Sequence, residues 1–277
     1  MKIILVGYGN VGKELERVIK EQSLLVDIIV RSDGIYNSTG VKIDELTNFN
    51  NYVDRDTVVF ISTPSKGKGE LSADYYLISL EQGATIITCE KAFLATHWEV
   101  VLQYPKQIKY SATVGGGSGI LNAISGHQGE IREIQAVING TLNYTGDRLA
   151  QGILEETVYK EVIDRGFAEP GASNFNEVIE GELKDVQYKT VILANHSKLY
   201  QTTVALKDVT LAPYSKGLRC LVTLTKDGIK GGFVEESDAF QFPSGVNNCL
   251  YINGQKIVEG PGAGARATAE RMFEDLV

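Results

Sequence analysis

The stretch Ile3-Ile4-Leu5-Val6-Gly7-Tyr8-Gly9-Asn10-Val11-Gly12 decides the fold. A short apolar run flows into Gly-x-Gly-x-x-Gly, and Val11, Leu15, Val18 and Ile19 then recur at helical spacing. A buried strand that ends in this glycine pattern and opens a helix is the signature of a dinucleotide-binding βαβ unit. Gly7 permits the tight turn, Gly9 lets the backbone approach a pyrophosphate, and Gly12 lets the helix pack close to the strand. The free N–H groups of the first helical turn, aided by the helix dipole, then face the phosphates. A glycine-rich turn with no ligand is the weaker reading, because the motif lies between a strand and an amphipathic stretch.

Working outward, 277 residues with 43% hydrophobic and 22% charged side chains make one large domain or two ordinary ones. No apolar run approaches the ~20 residues a membrane-crossing helix needs. A removable signal peptide is not expected, since it would carry away Gly7 to Gly12. The net charge of −8, with no basic stretch, argues against a nucleic-acid partner. Three widely spaced cysteines and three histidines suggest neither a disulfide framework nor a zinc site. The expectation is a metal-free protein in a reducing compartment, by default the cytoplasm.

Further strands are predicted over 24–30, 58–62 and 84–88, with helices over 72–82 and around 98–102. This alternation predicts an α/β protein with a Rossmann-type, doubly wound parallel sheet. From 113 onward the pattern changes to that of an α+β domain. Gly115-Gly116-Gly117 and Gly119 read as a flexible, exposed loop. A strand over 131–138 enters Asn139-Gly140-Thr141, and helices follow over 143–151, 155–165 and 181–196. Strands are expected over 204–211, 217–225 and 231–235, and a last helix over 267–276. The predicted dinucleotide-binding domain is 1–112 with 256–277, and 113–255 forms the second domain.

An Asp or Glu at the end of the second strand of such a fold usually binds the adenosine ribose, which selects NAD. Here that place holds Arg31-Ser32, and a guanidinium there suits the 2′-phosphate of NADP. Asp33, two residues on, leaves NAD open. Gly7, Gly9, Asn10, Val11, Gly12, Arg31 and Ser32 are the candidate nucleotide contacts of the first βαβ unit. Ser62, Thr63 and Pro64 join them at the carboxyl end of the next parallel strand, where ligands of such sheets bind. Gly262 and Gly264 open the last helix and are candidates too, although they could serve only close packing.

Several separated motifs then align with one family. Gly7-Tyr-Gly-Asn-Val-Gly12, Thr88-Cys-Glu-Lys91-Ala and Ala112-Thr-Val-Gly-Gly-Gly117 come first. Ile138-Asn-Gly-Thr-Leu-Asn-Tyr144, Gly166-Phe-Ala-Glu-Pro170, Asp185-Val-Gln-Tyr-Lys189-Thr-Val-Ile-Leu-Ala194 and Gly260-Pro-Gly-Ala-Gly264 follow in order. The chain resembles the homoserine dehydrogenases, in their short form without an appended kinase or ACT domain. The resemblance implies NAD(P)-dependent interconversion of L-homoserine and L-aspartate 4-semialdehyde, a step of threonine and methionine biosynthesis. It implies Lys189 as proton donor and acceptor, with Asp185 four residues before it, and Lys91 as a second cation near the reacting oxygen. It also implies Glu169 on the substrate α-amino group, Asn139, Gly140 and Thr141 as a substrate-contacting turn, and the α+β part as a substrate and dimerisation domain of a homodimer or dimer of dimers.

The chain departs from that family at four places. Glu90 replaces the usual Asn, Phe167 replaces a tyrosine, Gly171-Ala172 replaces Asp-Pro, and Ser111 replaces a glutamate near a monovalent-cation loop. Counted without gaps from Glu169, the acid–lysine pair would be Glu180 and Lys184 instead. The apolar run after Lys189 favours Asp185 and Lys189. Two other readings are a related semialdehyde or amino-alcohol dehydrogenase and a non-catalytic nucleotide sensor. Acyl-enzyme chemistry at Cys89 is a further, weaker one.

Overall fold

A computed structural model describes residues 1–168, 172–236 and 240–277. The opening apolar run forms β1 (Lys2–Val6), and its buried residues explain the absence of polar alternation, since both faces of a parallel strand are covered. It leads into α1 (Asn10–Glu21), followed by β2 (Ile28–Arg31), β3 (Gly34–Asn37) and β4 (Lys42–Asp44). Then come β5 (Thr57–Ile61), α2 (Glu70–Glu81), β6 (Thr85–Thr88), α3 (Ala92–Thr96), α4 (Trp98–Gln103) and β7 (Ile108–Lys109). These strands build one sheet in the order β4-β3-β2-β1-β5-β6-β7. The core strands β2, β1, β5, β6 and β7 pair in parallel, as predicted. The hairpin β3–β4 adds an antiparallel edge where only a turn was expected.

The remaining chain carries α5 (Ile120–Gly126), β8 (Glu133–Val137), α6 (Gly140–Ala150), α7 (Glu155–Asp164) and α8 (Phe175–Ser197). It continues with β9 (Arg219–Thr225), β10 (Gly228–Val234), β11 (Asn247–Ile252), β12 (Gln255–Pro261) and α9 (Ala265–Glu274). The second sheet runs β10-β9-β8-β11-β12, with all of its pairs antiparallel.

The chain divides into two compact units, Met1–Thr113 with Ala265–Val277, and Val114–Gly264. The return to the first unit therefore comes at Ala265 rather than at 256, because 255–261 is an edge strand of the second sheet. In the first unit α9 lies against α1, and Leu15, Val18 and Ile19 share a core with Ala269 and Met272. Arg266 clamps both oxygens of Glu21 at 2.8 and 2.6 Å. In the second unit Tyr144, Val158, Val162 and Val178 gather α6, α7 and α8 into one core.

Two further expectations are corrected. Residues 204–211 form no strand beyond an isolated bridge at Leu211; a short helical turn occupies Leu206–Asp208. Asp208 accepts from the Ala205 N–H, and the Gln187 amide donates to the carbonyls of Leu206 and Val209, taking up the groups a sheet would have used. The glycine stretch at 115–119 is largely buried rather than exposed. Gly115 has a φ of +82°, and a Cβ there would fall 2.3 Å from the Ser118 hydroxyl.

Candidate active site

The nucleotide half is built at the carboxyl ends of β1 and β5, where the sheet order reverses. Gly7 turns with φ +90°, and a Cβ on Gly12 would lie 2.3 Å from the Gly7 carbonyl, so only glycine allows this approach. Around Gly9 nothing lies within 4 Å of where a Cβ would be, which leaves the backbone open to a ligand. No side chain caps α1 and no acidic residue stands in its first turn. The N–H groups of Asn10, Val11 and Gly12 thus point from an uncapped, positively polarised helix end.

Ser62 is bonded within the protein. Its hydroxyl donates to the Gly7 carbonyl at 3.0 Å and its N–H to Val6 at 2.8 Å, tying β5 to the glycine turn. Thr63 carries a buried hydroxyl with no hydrogen-bond partner among the described residues, at the strand end where a nucleotide would lie. Pro64 and Ser32 are exposed. The Arg31 guanidinium is held between the rings of Tyr8 and Tyr36, at 4.8 and 4.4 Å, and its buried Nε has no partner among the described residues. Asp33 accepts from the Tyr36 hydroxyl at 2.7 Å, and that hydroxyl holds its carboxyl below the usual range. An uncapped helix end, an orphaned hydroxyl and a stacked guanidinium together fit a phosphorylated dinucleotide.

Lys91 follows the end of β6. Its N–H donates to the Ser65 hydroxyl at 2.8 Å. Glu90 is fully buried and accepts from the N–H groups of Ala92 and Phe93 at 2.7 and 3.0 Å. Burial lifts its carboxyl above the usual range, against those two donors, which pull it down. Glu90 thus satisfies the first free N–H groups of the turn that opens α3. Burial pushes the Cys89 thiol up to about 11, only partly offset by Lys91. At neutral pH it is a thiol and a poor nucleophile, which weighs against acyl-enzyme chemistry.

In the second unit α8 begins at Phe175, six residues earlier than expected, because Asn174 caps it by accepting from the Glu177 N–H at 3.0 Å. Glu182, Asp185 and Lys189, at spacings of three and four residues, lie on one face of this helix. The Lys189 ammonium meets the Asp185 carboxylate at 2.7 Å, with the lysine side chain only 10% exposed. Glu180 and Lys184, the alternative pair, are both exposed. Asn139 caps α6 by accepting from the Leu142 N–H at 2.8 Å, and its amide donates to Glu182 at 2.6 Å and to Asp185 at 3.0 Å.

Asn139 is thereby committed to protein groups, and its carbonyl accepts from the Asn143 N–H. The Thr141 hydroxyl donates to the Phe167 carbonyl at 2.6 Å, anchoring the segment that leads to Glu169. Glu169 itself lies outside the described residues, as does Gly171. Gly140 packs closely, since a Cβ there would meet the Val246 carbonyl at 2.6 Å. Gly262 belongs to the second unit, and a Cβ there would fall 2.1 Å from the Asn248 side chain, so only glycine fits. Gly264 has φ +117° just before α9. Glu182 was missed from the sequence. Its signal was the spacing of three and seven residues to Asp185 and Lys189.

The family model for homoserine dehydrogenase matches residues 120–277, more than half of the chain. The chain belongs to the homoserine dehydrogenase family. A homoserine dehydrogenase of Sulfurisphaera tokodaii is 26% identical over 306 residues, covering 100% of this chain and 98% of the relative. One from Methanocaldococcus jannaschii is also 26% identical, with the same coverage. Among solved structures, a homoserine dehydrogenase from Thermoplasma acidophilum superposes with a TM-score of 0.76 at 20% identity, over 100% of this chain and 98% of that one. A hyperthermophilic archaeal homoserine dehydrogenase in complex with NADPH superposes with a TM-score of 0.77 at 20% identity, over 99% and 96%. The structural likenesses confirm the two-part fold of this homoserine dehydrogenase family member. Among the described residues no group of three or more His, Cys, Asp and Glu side chains could hold a metal ion.

Proposed function

We propose that this protein interconverts L-homoserine and L-aspartate 4-semialdehyde with a nicotinamide dinucleotide, NADP in preference to NAD, and that Lys189 carries the proton. The bound cofactor supplies the chemistry of hydride acceptance and return at its nicotinamide ring. In oxidation, Lys189 in its amine form takes the proton from the C4 hydroxyl as the C4 hydride departs. In reduction its ammonium returns that proton to the nascent alkoxide. Asp185 holds Lys189 in place, and Lys91 supplies positive charge for the reacting oxygen. Glu169 is assigned to the substrate ammonium. The uncapped N-terminus of α1 receives the pyrophosphate, and stacked Arg31 receives the 2′-phosphate, while Asp33 is engaged by Tyr36.

The observation that carries this reading is the buried Lys189–Asp185 pair, in a chain that belongs to this family. The test is homoserine-dependent nicotinamide reduction by Lys189→Ala and Lys184→Ala variants. Loss of turnover at Lys189 with retention at exposed Lys184 is the expected result. Equal loss at both, or retention at Lys189, contradicts the assignment of the proton carrier.

A further inference from the structure

We propose that Asn139 and Glu182 are positioning residues for the proton carrier, and that Glu182 acts on Lys189 through the Asn139 amide and Asp185. This rests on the reading of Lys189 given above. All the polar atoms of the Asn139 side chain are engaged, Oδ1 by the Leu142 N–H and Nδ2 by Glu182 Oε2 and Asp185 Oδ2. Rotating the amide by half a turn would set Oδ1 against two carboxylate oxygens and the NH2 against the Leu142 N–H. One orientation is therefore selected by three contacts at once. Asp185 Oδ2 receives both this amide at 3.0 Å and the Lys189 ammonium at 2.7 Å. The amide so fixes the carboxylate oxygen from which Lys189 hangs.

Glu182 gives this clamp its rigidity. It is 8% exposed, and its bond to Asn139, at 2.6 Å, is shorter than the one from Asn139 to Asp185. Buried carboxylates are costly unless hydrogen-bonded, so a second one beside Asp185 calls for a role. Interposing the amide places a donor between two groups that would otherwise repel each other. The three partners come from two elements, the cap of α6 and one face of α8, so the clamp also sets the register between these helices. A rigid support of this kind holds a reacting group within the narrow tolerance that proton transfer demands.

Glu182→Ala, Glu182→Gln and wild type would be compared in the full chain by two readouts. The first is the rate at which an amine-acylating reagent labels Lys189, followed by peptide mass spectrometry, with exposed Lys184 as internal reference. The second is steady-state oxidation of L-homoserine, with melting temperatures recorded for all three proteins. In Glu182→Ala, Lys189 should label several-fold faster relative to Lys184. Its kcat should fall roughly tenfold to a hundredfold, the cost of a small misplacement of a catalytic group, with KM for homoserine nearly unchanged. Glu182→Gln keeps an oxygen that accepts from Asn139 and should restore both values to near wild type.

Unchanged Lys189 labelling in Glu182→Ala would overturn the inference, whether or not homoserine is turned over. So would a raised KM at constant kcat, which marks substrate contact, or a Gln variant as impaired as Ala, which marks the charge itself. Wild-type protein without homoserine turnover overturns the proposed function alone, because the labelling experiment still reads the clamp.

Discussion

Arg31 and Glu90 show how single residues set the chemistry of the first unit. Arg31 is stacked between Tyr8 and Tyr36, so its guanidinium is pre-oriented before any phosphate arrives. A charge-assisted contact of this type is worth about 1.5–3 kcal/mol, so Arg31→Ala should lower the preference for NADP over NAD about tenfold to a hundredfold. The ratio of kcat/KM for the two nucleotides measures it, and an unchanged ratio contradicts the assignment. Glu90 bears on stability. Its carboxyl is raised above the ordinary 4.5 by burial, so the folded state prefers the neutral acid. Its contribution is fully present below pH 4.5 and is lost as the pH rises through the raised value. Whatever constant cost an amide has in that turn, the melting temperature of Glu90→Gln relative to wild type should improve as the pH climbs from 4.5. A difference independent of pH contradicts this.

At the scale of elements, β9 and α6 are joined by a buried arginine that the sequence did not announce. Arg219 donates to the Asn143 side-chain oxygen at 2.7 Å, to the Pro243 carbonyl at 3.1 Å and to Glu236 at 2.6 Å, with its guanidinium over the Phe242 ring at 4.8 Å. Asn143 in turn donates to the carbonyls of Pro243, Gly245 and Asn247. Arg219→Ala strands the buried Asn143 side-chain oxygen and should cost about 1–3 kcal/mol of stability by urea unfolding. A loss below about 1 kcal/mol would mean that solvent replaces these bonds. Elements with local signals were legible in the sequence. The strand and glycine turn of 2–12 and the parallel alternation follow from local pattern, whereas spacing alone left two acid–lysine pairs on α8 and the family resemblance chose between them. The hairpin β11–β12 was missed although Asn253-Gly254 marks its turn, with both residues at positive φ. The start of α8 was likewise written in Asn174 and Glu177. In contrast, Arg219 and the 204–211 segment depend on partners far along the chain, which periodicity does not reveal.

At the scale of the whole molecule, the sequence shows two functional halves and the structure assigns each to its own compact unit. The glycine turn, the stacked Arg31 and Lys91 belong to the first. Asn139, Thr141, Glu182, Asp185 and Lys189 belong to the second, as do Gly262 and Gly264, which the sequence had grouped with the nucleotide site. No helix among the described residues is long and apolar enough to cross a membrane. The proposed assignment of Glu169 to the substrate ammonium rests on its motif alone. The most direct measurement is nicotinamide reduction by the purified wild-type chain with L-homoserine and NADP, with the carbonyl product trapped and identified by mass. Steady reduction that yields aspartate 4-semialdehyde is the predicted result. Tight NADP binding with no reduction, or reduction only with a different amino alcohol, would contradict it.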